Sequence, residues 1–355
     1  MKYAEGYIGS YTLGAKGRGI YRFKLDLING TLRDLALSAE TDNPSYLAVS
    51  SSKKYLYAVN ETSEYQGRAS GSVSSFRIDP DTGALTQISR KISGGKHPCQ
   101  AVLSPEDKYL VAANYTSGTI SLFPLEAGGG LGEAVQIIQF SGQGPHPERQ
   151  EGPHAHSFMF DLEGKYGFAC DLGTDRLMIY AYNPKASLPL TPADLPICYF
   201  KPGAGPRQGI MHPAGDSGYF LNELDSTVDV LRYDRRGGFE KIQSLRTLPQ
   251  GLEIPNTGAA LKISPEGQFL YASNRGHDSI AIFAGQPDRT LEWVGAVPSG
   301  GKTPRDFGLD PTGAFLLVCH QDSDNLTVFR RNPKTGLLKQ IQEYPLPGGV
   351  CLLFL

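Results

Sequence analysis

Apolar and polar residues alternate with a period of two along much of the chain, for example over 72–78, 119–123 and 279–283. Bounded by Gly, Pro and Asp, such runs predict strands joined by hairpins. A Pro near the start of an apolar strand recurs at Pro44, Pro98, Pro153, Pro206 and Pro304, and Thr257 fills the same slot between the last two. These anchors lie 47 to 55 residues apart, about 52 on average. Each unit reads alike. A first strand leads to a tight turn, as at 104–107, 264–267 and 310–313, and then to an aromatic-rich second strand, as at 54–59, 108–111 and 268–271. An alternating third strand follows, then a hairpin such as 79–83 and a fourth strand such as 84–88.

Four antiparallel strands per unit of about 50 residues is the pattern of a β-propeller blade. The length of 355 residues accommodates seven. Six blades begin at the anchors, so the seventh must combine both ends of the chain. Residues 7–11, 19–25 and 31–35 supply its second to fourth strands, and 347–355 its first. The expected fold is therefore all-β: a seven-bladed β-propeller with four antiparallel strands per blade, closed by the C-terminal strand pairing with the N-terminal blade. Closure removes exposed sheet edges and makes 1–355 a single domain.

Composition narrows the function classes. Gly and Pro make up about 19% of the chain, enough for many turns but below the range of low-complexity disorder. A net charge of −2 with 20% charged residues implies no basic face for nucleic acid. No apolar run is long enough to span a membrane as a helix. Residues 1–6 lack the apolar core of a signal peptide. The five cysteines are scattered, with no C-x-x-C, so neither a disulfide framework nor a cysteine zinc site is expected. A reducing, cytoplasmic setting is the expectation.

In an antiparallel blade the start of strand one and the end of strand two share one end of the sheet. Strand one is innermost, so these positions ring the mouth of the central channel. After the anchors stand Ser45, Cys99, His154, Arg207, Gly258 and Arg305; ending strand two stand Glu61, Tyr115, Leu172, Glu223, Arg275 and Gln321. Three Arg, a His and two Glu are thus expected at one mouth, a setting suited to an anionic substrate. The loops entering strand one add Lys96 and Lys302, each after Gly-Gly, and the segment 144–149. His154 and His156 are two apart on a strand, which points both rings to one side. No second His pair accompanies them, so one site His with a supporting partner is expected rather than a metal. The segment 215–218 resembles a serine-protease nucleophile region, but it aligns with the tight turn at the far end of the blade. The glycines of 128–132 lack the strand–loop–helix context of a phosphate cradle, and no Gly-x-Ser-x-Gly elbow occurs.

Taken together, 152–157, 205–207, 221–224 and 273–276, with the opening 7–12 and 43–47, resemble the lactonase seven-bladed propeller family over essentially the whole chain. That family includes bacterial 6-phosphogluconolactonases and fungal 3-carboxy-cis,cis-muconate lactonising enzymes. The resemblance implies a catalytic set of His154, Arg207, Glu223 and Arg275, with either His154 or His156 as the matching histidine. Glu223 or His154 is expected to take a proton from water, and Arg207 and Arg275 to polarise a carbonyl or hold a phosphate. His156, Arg305, Lys302 and Lys96 are expected to bind substrate. The implied reaction is hydrolysis of a sugar δ-lactone without a cofactor, most simply 6-phosphogluconolactone of the pentose phosphate route. A muconate-type cycloisomerase and a non-enzymatic ligand- or protein-binding propeller are the alternatives. The partner implied is a small anionic lactone or sugar phosphate.

Overall fold

The alternating segments form strands whose side chains pack against neighbouring sheets. In Ser72–Ile78 all but Arg77 are inside, packed between neighbouring sheets. The structure, a computed structural model, describes residues 2–355; Met1, part of the hexapeptide read above for a leader, lies outside them. The described residues form seven four-stranded antiparallel sheets in sequence order around a ring. The innermost strands are Pro44–Val49, Pro98–Leu103, Ala155–Phe160, Pro206–Met211, Thr257–Ile263, Pro304–Leu309 and the C-terminal Gly349–Phe354. We number the blades 2 to 7 in chain order from Pro44; blade 1 contains both chain ends.

The hydrophobic core is divided among the spaces between blades. Tyr219, Leu221 and Val230 of blade 5, for instance, pack with Leu261, Leu270 and Ala272 of blade 6. Each fully buried side chain of this size contributes about 1.5–3 kcal/mol. The tight turn between strands one and two is set by the last residue before it. Ser104 Oγ accepts from the Lys108 and Tyr109 amides, while Asp161 Oδ1 does the same for Lys165 and Tyr166. These short side chains satisfy amides that the reversal leaves unpaired.

The ring closes as expected. Gly349–Phe354 pairs with Tyr3–Ser10 in the register Gly6–Phe354, Tyr7–Leu353, Ile8–Leu352 and Gly9–Cys351. Two boundaries differ from the sequence reading. The Tyr3–Ser10 strand begins before residue 7, and the outer strand is Leu32–Glu40 rather than 31–35. That outer strand is largely solvated, so no apolar alternation marked its extent.

Every innermost strand carries an irregularity at the mouth. Pro98 pairs with Asn114 and Gln100 with Ala113, leaving Cys99 as the extra residue. The same two-against-one bulge isolates Ser45, His156, Arg207 and Arg305. In blade 6 it falls between Gly258 and Leu261, and in blade 1 it leaves Val350 unpaired. A bulge re-aims its side chain and is common beside active sites.

Candidate active site

The seven bulges define a ring. A small cavity in the channel, about 20 Å³ and so large enough for a water, is lined by Ser45, Cys99, His156, Arg207, Ala260, Arg305 and Val350, one residue from each blade, among others. A second ring is built from the residue at the end of each strand two or just past it. It comprises Tyr11, Glu61, Tyr115, Leu172, Glu223, Arg275 and Gln321, and most of their amides are tied to the loop entering strand one: Glu61 to Asn43, Tyr115 to His97, Glu223 to Gly205, Gln321 to Thr303.

In blade 4 this register moves the first ring by two residues from the sequence reading. Ala155, not Pro153, pairs opposite Asp171 as Pro98 does opposite Asn114. Pro153 and His154 belong to the entering loop, where Asp171 Oδ1 accepts from the His154 amide at 2.7 Å. His156 therefore takes the bulge position expected for His154. In blade 6 the pairing shifts by one, with Gly258 rather than Thr257 opposite Asn274, and Ala260, two residues past Gly258, lines the cavity in its place.

Glu223 is the hub. It is 3% exposed. Its Oε2 accepts from Arg207 Nε at 2.8 Å and lies 3.0 Å from Arg275 Nη2 and 3.8 Å from His156 Nε2. Its Oε1 accepts from Arg149 Nη2. Burial alone would push this carboxyl up, but Arg275 and Arg207, aided by Arg149, outweigh it and hold Glu223 well below the usual carboxylate range. Arg207 also donates to the Ala259 carbonyl, and Arg275 to that of Gly258 at 3.1 Å; the bulge of blade 6 thus fixes both guanidiniums. Burial pulls Arg275 down to about 10, with Arg207, Arg305 and Arg149 adding to the effect against Glu223. Its Nε has no partner among the described residues. Three guanidiniums around one carboxylate leave an excess of positive charge.

The two histidines have different surroundings although both rings pack on Tyr115. His154 stacks on it at 4.4 Å and pairs with Glu151 at 3.2 Å; His156 meets it edge-on at 5.3 Å and faces Glu223. Burial, reinforced by Arg207, holds His156 well below its ordinary 6.5, so it is neutral at pH 7. Its Nδ1 lies 3.6 Å from Cys99 Sγ. Burial pushes the Cys99 thiol up, so it is a weak donor to its neighbours rather than a nucleophile.

Arg305 stands apart from Glu223. It pairs with Glu61 at 3.4 Å and lies over the Tyr11 ring at 5.1 Å, while the Tyr11 hydroxyl donates to Glu61 at 2.9 Å. The structure thus brings Arg207, Glu223, Arg275 and His156 together, and sets His154 and Arg305 beside them. Lys96 and Lys302 remain on the entering loops, held through their amides by Ser117 and Ser323. Neither side chain forms an ion pair among the described residues. Sequence reasoning assigned no role to Arg149, although it fell in the 144–149 loop singled out above. Tyr11 was also unassigned, and the repeat itself could have found it as the blade 1 counterpart of Glu61.

Residues 5–354 match the family model described as "Lactonase, 7-bladed beta-propeller". A 6-phosphogluconolactonase of Bacillus subtilis is 36% identical over 99% of this chain and 98% of its own. One of Formosa agariphila is 34% identical over 98% of each. Among solved structures, the periplasmic gluconolactonase PpgL of Pseudomonas aeruginosa superposes with a TM-score of 0.93 at 34% identity, covering 99% of both chains.

Proposed function

The chain belongs to the lactonase seven-bladed β-propeller family, and from that premise we propose that it hydrolyses 6-phosphogluconolactone to 6-phosphogluconate. The observation that carries this reading is the ionised, buried Glu223 held among Arg149, Arg207 and Arg275. Hydrolysis of a lactone needs a base for water and positive charge for the oxyanion. In the proposed sequence, water bonds to the carbonyl carbon as Glu223 accepts one of its protons. The tetrahedral oxyanion is met by N–H groups of Arg207 and Arg275. Collapse then breaks the bond to the ring oxygen, which receives the proton held on Glu223, and the open-chain hydroxy acid leaves.

The excess positive charge of the cluster favours a phosphorylated substrate over a neutral lactone. Such a reaction would serve the pentose phosphate route in the cytoplasm. The test is direct. Purified protein is mixed with freshly generated 6-phosphogluconolactone, and loss of lactone is followed above the spontaneous rate. A rate equal to the spontaneous one overturns the reading.

A further inference from the structure

Oε1 of Glu223 is covered by Arg149, and Oε2 is engaged by Arg207 and Arg275 with His156 facing it. A carboxylate so engaged offers no free oxygen to a water. Of the three guanidiniums, that of Arg207 is buried and that of Arg275 is 16% exposed, and both are also bonded to backbone carbonyls. Arg149 differs on both counts. Its side chain is 34% exposed, and its other partner is the Tyr115 hydroxyl at 3.2 Å.

The loop beneath Arg149 is firmly held. Gln150 is fully buried; its Nε2 donates to the Leu172 carbonyl at 2.8 Å, and its Oε1 accepts from the His146 amide. Within the loop, Gln150 donates to the His146 carbonyl, and Gly144 to that of Gln150. A long, half-exposed side chain on a pinned stem can swing without the loop unfolding. Its new position would need an acceptor better than one shared carboxylate oxygen, and a phosphate dianion offers bidentate acceptance.

We propose that Arg149 determines specificity for the substrate's phosphate: the dianion draws its guanidinium off Glu223 Oε1, and that oxygen becomes the acceptor of the water proton. This rests on the lactonase reading and deepens it. Binding and activation are then one event, because a lactone without phosphate leaves Arg149 in place and Glu223 covered. The phosphate is carried on the exocyclic carbon of the lactone, apart from the carbonyl carbon that the water attacks. The surplus charge of the cluster, with Arg275 Nε unpartnered among the described residues, supplies the electrostatic pull for the same dianion.

The experiment compares 6-phosphogluconolactone with glucono-δ-lactone for the wild type, Arg149→Gln and Arg149→Lys. The Gln variant should lose about 10- to 100-fold of its kcat/KM on the phosphorylated lactone, the scale of a lost charge-assisted bond. Its kcat on glucono-δ-lactone should rise, because Glu223 is uncovered. The Lys variant, charged but without the fork, should fall between. Parallel loss on both lactones, or no change on either, overturns the proposal. Calorimetric binding of the stable acids 6-phosphogluconate and gluconate gives a separate reading. The wild type should prefer the phosphorylated acid, and Arg149→Gln should lose that preference; an unchanged preference overturns the proposal. A wild type inactive on both lactones would overturn the hydrolase reading, and the binding comparison would still decide the role of Arg149.

Discussion

His156 Nε2 lies 3.8 Å from Glu223 Oε2, although the two residues come from adjacent blades and from different strands of them. The bulge of blade 4 turns the imidazole across the channel, and the end of strand two in blade 5 presents the carboxylate to it. His154, two residues away, packs on Tyr115 and Glu151 instead. The two histidines should therefore separate in kinetics. His156→Gln should lower kcat on the phosphorylated lactone by roughly 10- to 100-fold, the scale of a misplaced catalytic group, since the ring packs beside Glu223 without a hydrogen bond to it. His154→Gln should act mainly on stability. Steady-state rates of both variants beside their melting temperatures check this, and a larger kcat loss in the His154 variant would refute it.

Glu223→Gln keeps shape and removes both basicity and charge. As the proposed base, Glu223 accounts for about 10²–10⁴ in kcat, so a fall of that order is expected. Stability should fall as well, since the three guanidiniums lose their shared anion; removing one partner of a buried ion pair typically costs about 3–5 kcal/mol. Millimolar sulfate should raise the melting temperature of this variant more than that of the wild type, because the three guanidiniums then lack a protein anion and attract one from solution. Near wild-type turnover would restrict Glu223 to a structural or binding role.

Stability should decline as pH falls from 7. A group held below its ordinary pKa in the folded chain binds fewer protons there than when unfolded, so its contribution is fully present above the unfolded value and is lost on acidification. For His156, burial and Arg207 cause the depression, and the loss begins below the ordinary 6.5. Burial lowers His212 and His320 in the same direction. Glu223 adds a second loss below 4.5. Melting temperatures between pH 4 and 8 should show both phases, and His156→Gln should weaken only the first.

Deleting residues 348–355 should abolish cooperative folding. The cut removes the strand paired with Tyr3–Ser10, and with it the buried side chains of Val350 and Leu352, at about 1.5–3 kcal/mol for each. It also opens an inner sheet edge to other chains. An unchanged melting temperature, measured by circular dichroism, would contradict closure by this strand.

Much of this molecule is legible in the chain itself. Period-two alternation, the anchors from Pro44 to Pro304 and the unmatched ends determine seven blades and their closure, because side-chain period and turn chemistry are local. The second ring is legible for the same reason: Glu61, Tyr115, Glu223 and Arg275 stand at or just beyond the ends of regular second strands. Ser45, Cys99, Arg207 and Arg305 of the cavity ring were legible too; what only the tertiary structure decided is the bulge positions that bring His156 and Ala260 into it, and the cover on Glu223. A bulge arises from pairing between strands, so nothing in the local pattern around Pro153 marks the two-residue shift that selects His156. Nor does the 144–149 loop carry a period from which to read its path, and the position of Arg149 follows from the bonds of Gln150 to a strand end 22 residues further along the chain.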